Sequence, residues 1–206
     1  MTAAAGTVIV DCAVAGRTYS GEIESGDLLV MAPFPDGVLL AAIDGLGHGT
    51  EAAMAARTAA EALERRALDP VVLLMQQCHQ ALRKTRGAVM SLASFDAGRN
   101  TLSWLGVGNV EGILFRQDPD ARPNCEHLLL RGGVVGYQMP PLRAATLPIV
   151  PGDTLVFATD GLRGSFTQTS PIGRPPQNVA DELLARYATG NDDALVIVVR
   201  YLGRGS

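Results

Sequence analysis

The chain has 206 residues, 47% of them hydrophobic and 18% charged, and a formal net charge of -4, which suits one globular domain over residues 1–206 with a sizeable core. Its 17 Lys and Arg are scattered and outnumbered by 21 Asp and Glu, which argues against a nucleic-acid partner and in favour of a protein one. Cys12, Cys78 and Cys125 are odd in number and far apart, so neither a disulfide framework nor a zinc knuckle is indicated and a reducing compartment is expected.

In chain order, Met1 to Val10 lacks the basic start and long apolar run of a signal peptide. The greasiest stretch, Leu28 to Ile43, is broken by Pro33, Pro35 and Asp36, so no membrane span is expected and the reading is a soluble cytoplasmic protein. Val38 to Ile43 is a strand. A helix follows from about Thr50 to Arg66, with alanines at 52, 53, 55, 56, 59, 60 and 62 that let its backbone approach a neighbour closely. A second helix opens with Asp69 as N-cap and Pro70 at its first position, placing Val71, Met75, Cys78 and Leu82 on one stripe while Gln76, Gln77 and Gln80 face away. Strands follow at Val89–Phe95, Thr101–Val107, Gly112–Phe115 and Thr154–Ala158, with loops over Gln117–Glu126 and Gly164–Pro175. A helix over Pro176–Tyr187, with Val179, Leu183 and Tyr187 on one face, leads into a last strand, Ala194–Tyr201. Several strands are apolar throughout, as when a sheet lies between another sheet and a helical layer, so an α+β layered domain is expected.

Several aspartates share one local design at the end of an apolar strand, most of them beside glycine: Asp27 after Gly26, Asp44 before Gly45, Asp160 before Gly161, and the pair Asp192 and Asp193. A strand end is a rigid mount, and glycine lets the backbone turn or approach a ligand. Singly, each Asp-Gly reads as a turn, and Asp27 as the start of a hairpin. Together, two apolar strands that both end in Asp-Gly and an acidic pair before a third favour a shared carboxylate cage. Two like charges about 4 Å apart repel by about 4 kcal/mol at an effective dielectric near 20, so such a cage needs a counter-charge. Oxygen ligands without a His or Cys set select hard cations, magnesium or manganese. Two such ions activate water and clamp a phosphoryl group without a covalent enzyme intermediate, in keeping with the lack of a Gly-x-Ser-x-Gly elbow or a Walker-type loop.

The succession Gly26-Asp27, Asp44-Gly45-Leu46-Gly47-His48-Gly49, Arg86-Gly87-Ala88, Val107-Gly108-Asn109-Val110, Thr159-Asp160-Gly161-Leu162 and Asp192-Asp193 resembles the PPM family of metal-dependent serine/threonine phosphatases. The likeness is greatest to its bacterial SpoIIE-like branch and, within that, to the stressosome feedback phosphatases. It spans essentially the whole chain. It implies a four-layer αββα sandwich of two antiparallel sheets flanked by helices, and a centre of two divalent cations, manganese or magnesium. There Asp44 bridges both ions and Gly45 lends its carbonyl, while Asp27 holds one ion and Asp160 and Asp192, with Asp193 beside them, the other. The implied substrates are phosphoserine or phosphothreonine on STAS-domain proteins of a stressosome-type complex.

The chain departs from the family pattern in three places. Larger members carry a histidine, a candidate general acid, where Leu46 stands; His48, two residues on, is read either as that catalytic group or as shaping the start of the alanine-rich helix. The phosphate-gripping arginine of larger members has no clear counterpart, although Arg17 is available. Leu195 replaces a threonine after the acidic pair. These gaps leave open a catalytically silent phosphoprotein-binding module on the same fold and, more weakly, a nucleotide phosphatase. His79 is expected on the solvated glutamine face and His127 at the edge of a polar loop; Trp104 is read as core or sheet surface. Arg86 and Asn109, both in turns beside glycine, are either near the centre or loop caps.

Overall fold

A computed structural model describes residues 8–164, 166 and 169–204. Residues 1–7 of the segment read as lacking a signal peptide, and residues 165, 167 and 168 of the second expected loop, lie outside the described residues. The elements run β1 (Val10–Arg17), β2 (Asp27–Phe34), β3 (Gly37–Gly45), α1 (Thr50–Glu64), α2 (Val71–Leu82), β4 (Ala88–Asp96), β5 (Thr101–Val107) and β6 (Glu111–Phe115), then β7 (Cys125–His127), β8 (Leu130–Arg131), β9 (Ala145–Pro148), β10 (Thr154–Ala158), α3 (Pro176–Tyr187) and β11 (Ala194–Tyr201).

One sheet has the order β1-β11-β10-β6-β7; the other runs β2-β3-β4-β5-β8, with β9 also on β5. Pairing is antiparallel except for the two-residue β8, which lies parallel to β5. Helices α1 and α2 cover the second sheet and α3 covers the first, so the layers are helix, sheet, sheet, helix, the αββα sandwich expected above.

The uniformly apolar strands follow from this layering, because successive side chains of a strand point to opposite faces. In β3, Leu39, Ala41 and Ile43 enter the core beneath α1 and α2, while Val38, Leu40 and Ala42 enter the core between the sheets. In β11, Val196 and Val198 face α3 and Leu195, Ile197 and Val199 face the other sheet. Trp104 is buried in that inter-sheet core, as one of the two sequence readings has it.

Two details differ from the sequence reading. Leu28–Ile43 is a continuous hairpin rather than an interrupted stretch: Pro35 and Asp36 make the turn, with Asp36 at φ 60°, and Pro33 sits on the edge strand β2, where a missing N–H is tolerated. Pro70, not Asp69, is the residue that caps α2. Asp69 is occupied elsewhere, accepting from Gln77 Nε2 at 3.1 Å and pairing with Arg66.

Candidate active site

Asp27 opens β2 and Asp44 is the last residue but one of β3, and the hairpin register sets them directly opposite each other. The turn after Asp44 is narrow by necessity. A Cβ on Gly45 would lie 2.1 Å from the Ala52 carbonyl oxygen, and one on Gly26 would lie 2.8 Å from the Ala52 Cβ. The alanine-rich face of α1 is thus pressed against the two glycines that flank the acidic pair, which is the close approach its composition predicts.

The first sheet, β1-β11-β10-β6-β7, supplies the other carboxylates. Asp160 follows β10 and Asp192 and Asp193 precede β11, neighbouring strands of one ladder. A Cβ on Gly161 would lie 1.9 Å from the Asp193 carbonyl oxygen, so the two acidic segments touch through their backbones. Thr159 joins the sheets: its hydroxyl donates to Asp27 Oδ2 at 2.7 Å and accepts the Leu195 N–H at 2.9 Å. Asn109, in the turn after β5, donates Nδ2–H to Asp160 Oδ2 at 2.7 Å.

Asp193 is used differently from its neighbour. Its Oδ1 accepts the Tyr19 N–H at 2.8 Å and its Oδ2 accepts the Gly26 N–H at 2.7 Å, so both oxygens pin the ends of the β1–β2 loop. Asp192, in the bend before β11 and half-buried, has only the Asp193 N–H on its Oδ1, at 2.8 Å.

Exposure grades outward from the buried Asp27 and Asp193, through the half-buried Asp44 and Asp192, to the exposed Asp160. Burial, and then the charges of Asp193, Asp160 and Asp192, push Asp27 up to about 7 against the lowering effect of the Thr159 hydroxyl. Burial followed by Asp27, Asp160, Asp192 and Asp193 pushes Asp44 up to about 8. Asp160 is raised by burial and by Asp192. Asp27, Asp44 and Asp160 resist ionising first because they are buried and then because other carboxylates are near. Among the described residues none of the five is ion-paired with Lys, Arg or His. Their side chains stand near one another without closing on one point: among the described residues no three His, Cys, Asp or Glu groups form a ready chelate.

His48 precedes the N-cap Gly49 of α1. Its Nδ1 meets Glu22 Oε1 at 2.6 Å and its ring leans on Tyr19, 5.1 Å between centroids. Leu46 packs its side chain against the inter-sheet core. Arg86 lies beside the same turn, paired with Glu51. His79 is not simply solvated: its Nδ1 accepts the Gly136 N–H at 3.0 Å and ties the segment before β9 to α2. His127 is exposed on β7. Thr159, directly after β10, is a site residue that sequence reasoning misses; the available signal is a polar residue following an otherwise apolar strand.

The sequence matches the family described as Stage II sporulation protein E (SpoIIE) over residues 35–202. It is 23% identical over 183 residues to the phosphoserine phosphatase RsbX of Bacillus subtilis (strain 168), covering 88% of this chain and 89% of that one. The fold superposes with a TM-score of 0.82 and 27% identity on a chain solved in work on the bacterial stressosome as a modular system adapted to control secondary messenger signaling, covering 93% of this chain and 99% of that one. A crystal structure of RsbX in complex with magnesium gives a TM-score of 0.80 at 22% identity, covering 94% of this chain and 96% of that one.

Proposed function

This chain belongs to the Stage II sporulation protein E (SpoIIE) family, a phosphatase by kinship and by fold, and from that premise we propose that it removes phosphate from phosphoserine or phosphothreonine on a protein, with two divalent cations, magnesium or manganese. The observation that carries the proposal is the group Asp27, Asp44, Asp160 and Asp192 at one end of both sheets, where burial and then the neighbouring carboxylates raise the pKa of Asp27, Asp44 and Asp160 without a basic partner. An all-oxygen set with that much unbalanced negative charge suits hard cations. Asp44 would serve both ions and Gly45 would lend its carbonyl, with Asp27 holding one ion and Asp160 with Asp192 the other. Such ions supply positive charge to a phosphoryl group and acidify water.

The chain's own residues orient this set. Thr159 and Asn109 each hold one oxygen of a proposed ligand, Asp27 and Asp160, fixing the carboxylate planes. Asp193 acts as the tie that holds Gly26 and the β1–β2 loop in place rather than as a ligand. His48, with Nδ1 engaged by Glu22, keeps Nε2 to give a proton to the departing serine or threonine oxygen. Residues 1–206 act as one catalytic domain. The substrate is a phosphorylated STAS-domain protein of a stressosome-type complex, reached in the cytoplasm; the likeness to RsbX and to the stressosome-associated chain supports this. No described helix is long and apolar enough to cross a membrane.

The test is release of phosphate from a phosphorylated STAS-domain protein with magnesium or manganese, beside Asp44→Asn. Equal rates for the two proteins, or none under any divalent cation, would defeat the proposal. Tight binding without turnover is the outcome of the silent-module reading, which one observation favours: Leu46 turns into the core at the position where larger members place a candidate acid.

A further inference from the structure

A phosphate dianion approaching a carboxylate centre filled with cations is oriented further by a fixed cationic side chain beside it, which donates to the oxygens the cations leave free. Arg86 is placed for this. The Gly87 carbonyl accepts the Leu46 N–H at 3.1 Å, which joins the Arg86-Gly87 turn to the segment just after Asp44. The guanidinium lies over Gly47: a Cβ there would come within 2.8 Å of Arg86 Nη1, so glycine at 47, at φ 84°, makes room for it. Glu51, in the first turn of α1, pairs with Nε, and among the described residues no side-chain hydrogen bond occupies either Nη of this half-exposed side chain. Arg17, opposite Ala194 in the β1–β11 ladder, and Arg163, just after Asp160 in the chain, are the other nearby arginines, but among the described residues neither has a side-chain hydrogen bond or ion pair that fixes its head group.

We propose that Arg86 grips the phosphate of the incoming substrate through its Nη groups, with Glu51 as the residue that positions it. The proposal rests on the phosphatase reading, and its test separates the two by measuring binding as well as turnover. Inorganic phosphate is titrated calorimetrically into the magnesium-saturated protein, its Arg86→Ala, Arg86→Lys and Glu51→Gln variants, and Arg17→Ala and Arg163→Ala. KM and kcat for a phosphopeptide are taken in parallel.

Arg86→Ala is expected to weaken phosphate binding and raise KM about 10- to 100-fold, with kcat changed much less and the melting temperature unmoved. Lysine at 86 should recover part of the loss, since it restores charge without the fork. Glu51→Gln should weaken binding several-fold in the parent and not at all in the Arg86→Ala background. Unchanged phosphate affinity in Arg86→Ala overturns the proposal. So does a loss confined to Arg17→Ala or Arg163→Ala, or one that tracks a drop in melting temperature. Phosphate binding that depends on Arg86 in a protein that hydrolyses nothing would sink the catalytic reading and leave this one standing.

Discussion

The Thr159 hydroxyl donates to Asp27 across the two sheets, 132 residues apart in sequence, while accepting the Leu195 N–H. All three groups are buried or nearly so. Thr159→Val keeps the shape and removes both bonds, leaving an N–H and a carboxylate oxygen without partners. The expected cost is about 2–4 kcal/mol of unfolding free energy, measured by denaturant titration. Because the hydroxyl holds Asp27 down, its loss should raise that pKa further and weaken magnesium binding.

The acidic pair makes cation-free stability fall with pH. Asp27 at about 7 and Asp44 at about 8 both lie above their ordinary 3.8, so the folded protein binds more protons than the unfolded chain between roughly pH 4 and 8. The stabilising contribution is complete below about pH 4 and disappears as pH rises through 7 and 8. In EDTA the melting temperature should drop from pH 5 to pH 8; excess magnesium should reduce that drop. A melting temperature that rises over this range without cation would contradict the arrangement.

Asp192 and Asp193 should separate cleanly on substitution. Asp193→Asn replaces one accepting oxygen with an NH2 facing a backbone N–H, so stability should fall by about 1–3 kcal/mol. Asp192→Asn removes a like charge from the cluster, so the cation-free protein should be no less stable while its affinity for magnesium falls. Thermal melts with and without magnesium check both.

Gly161→Ala places a methyl 1.9 Å from the Asp193 carbonyl oxygen, and Gly45→Ala one 2.1 Å from that of Ala52. Neither obstacle is a flexible side-chain end. Each variant should lose more than about 3 kcal/mol or fail to fold, as read by circular dichroism; a native melting curve would refute the close packing.

Much of this was legible in the sequence because it is local. An apolar run ending in Asp-Gly marks Asp44 and Asp160 within a few residues, and the stripe of α2 and the alanines of α1 state what each helix does. The layering could be read from β3 and β11, whose lack of alternation requires cover on both sides. What escaped has its cause elsewhere in the chain. The strand β1, at a sheet edge, is made mostly of small residues between Asp11 and Arg17 and carries little apolar bulk to mark it. The strands β7 and β8 have three and two residues, too few for any period. Asn109 and Thr159 matter through partners 51 and 132 residues away, and His79 finds its partner 57 residues on. The two adjacent aspartates look alike in sequence; only the loop that returns to Asp193 tells them apart.

The tie from Asp193 to Tyr19 and Gly26 spans 174 and 167 residues, and β1 pairs along its full length with β11. A nascent chain therefore cannot complete the acidic centre until its last strand has left the ribosome. Until then the β1–β2 segment waits without its anchor, and a translation product stopped before residue 192 should be inert however much of the remaining sandwich has formed.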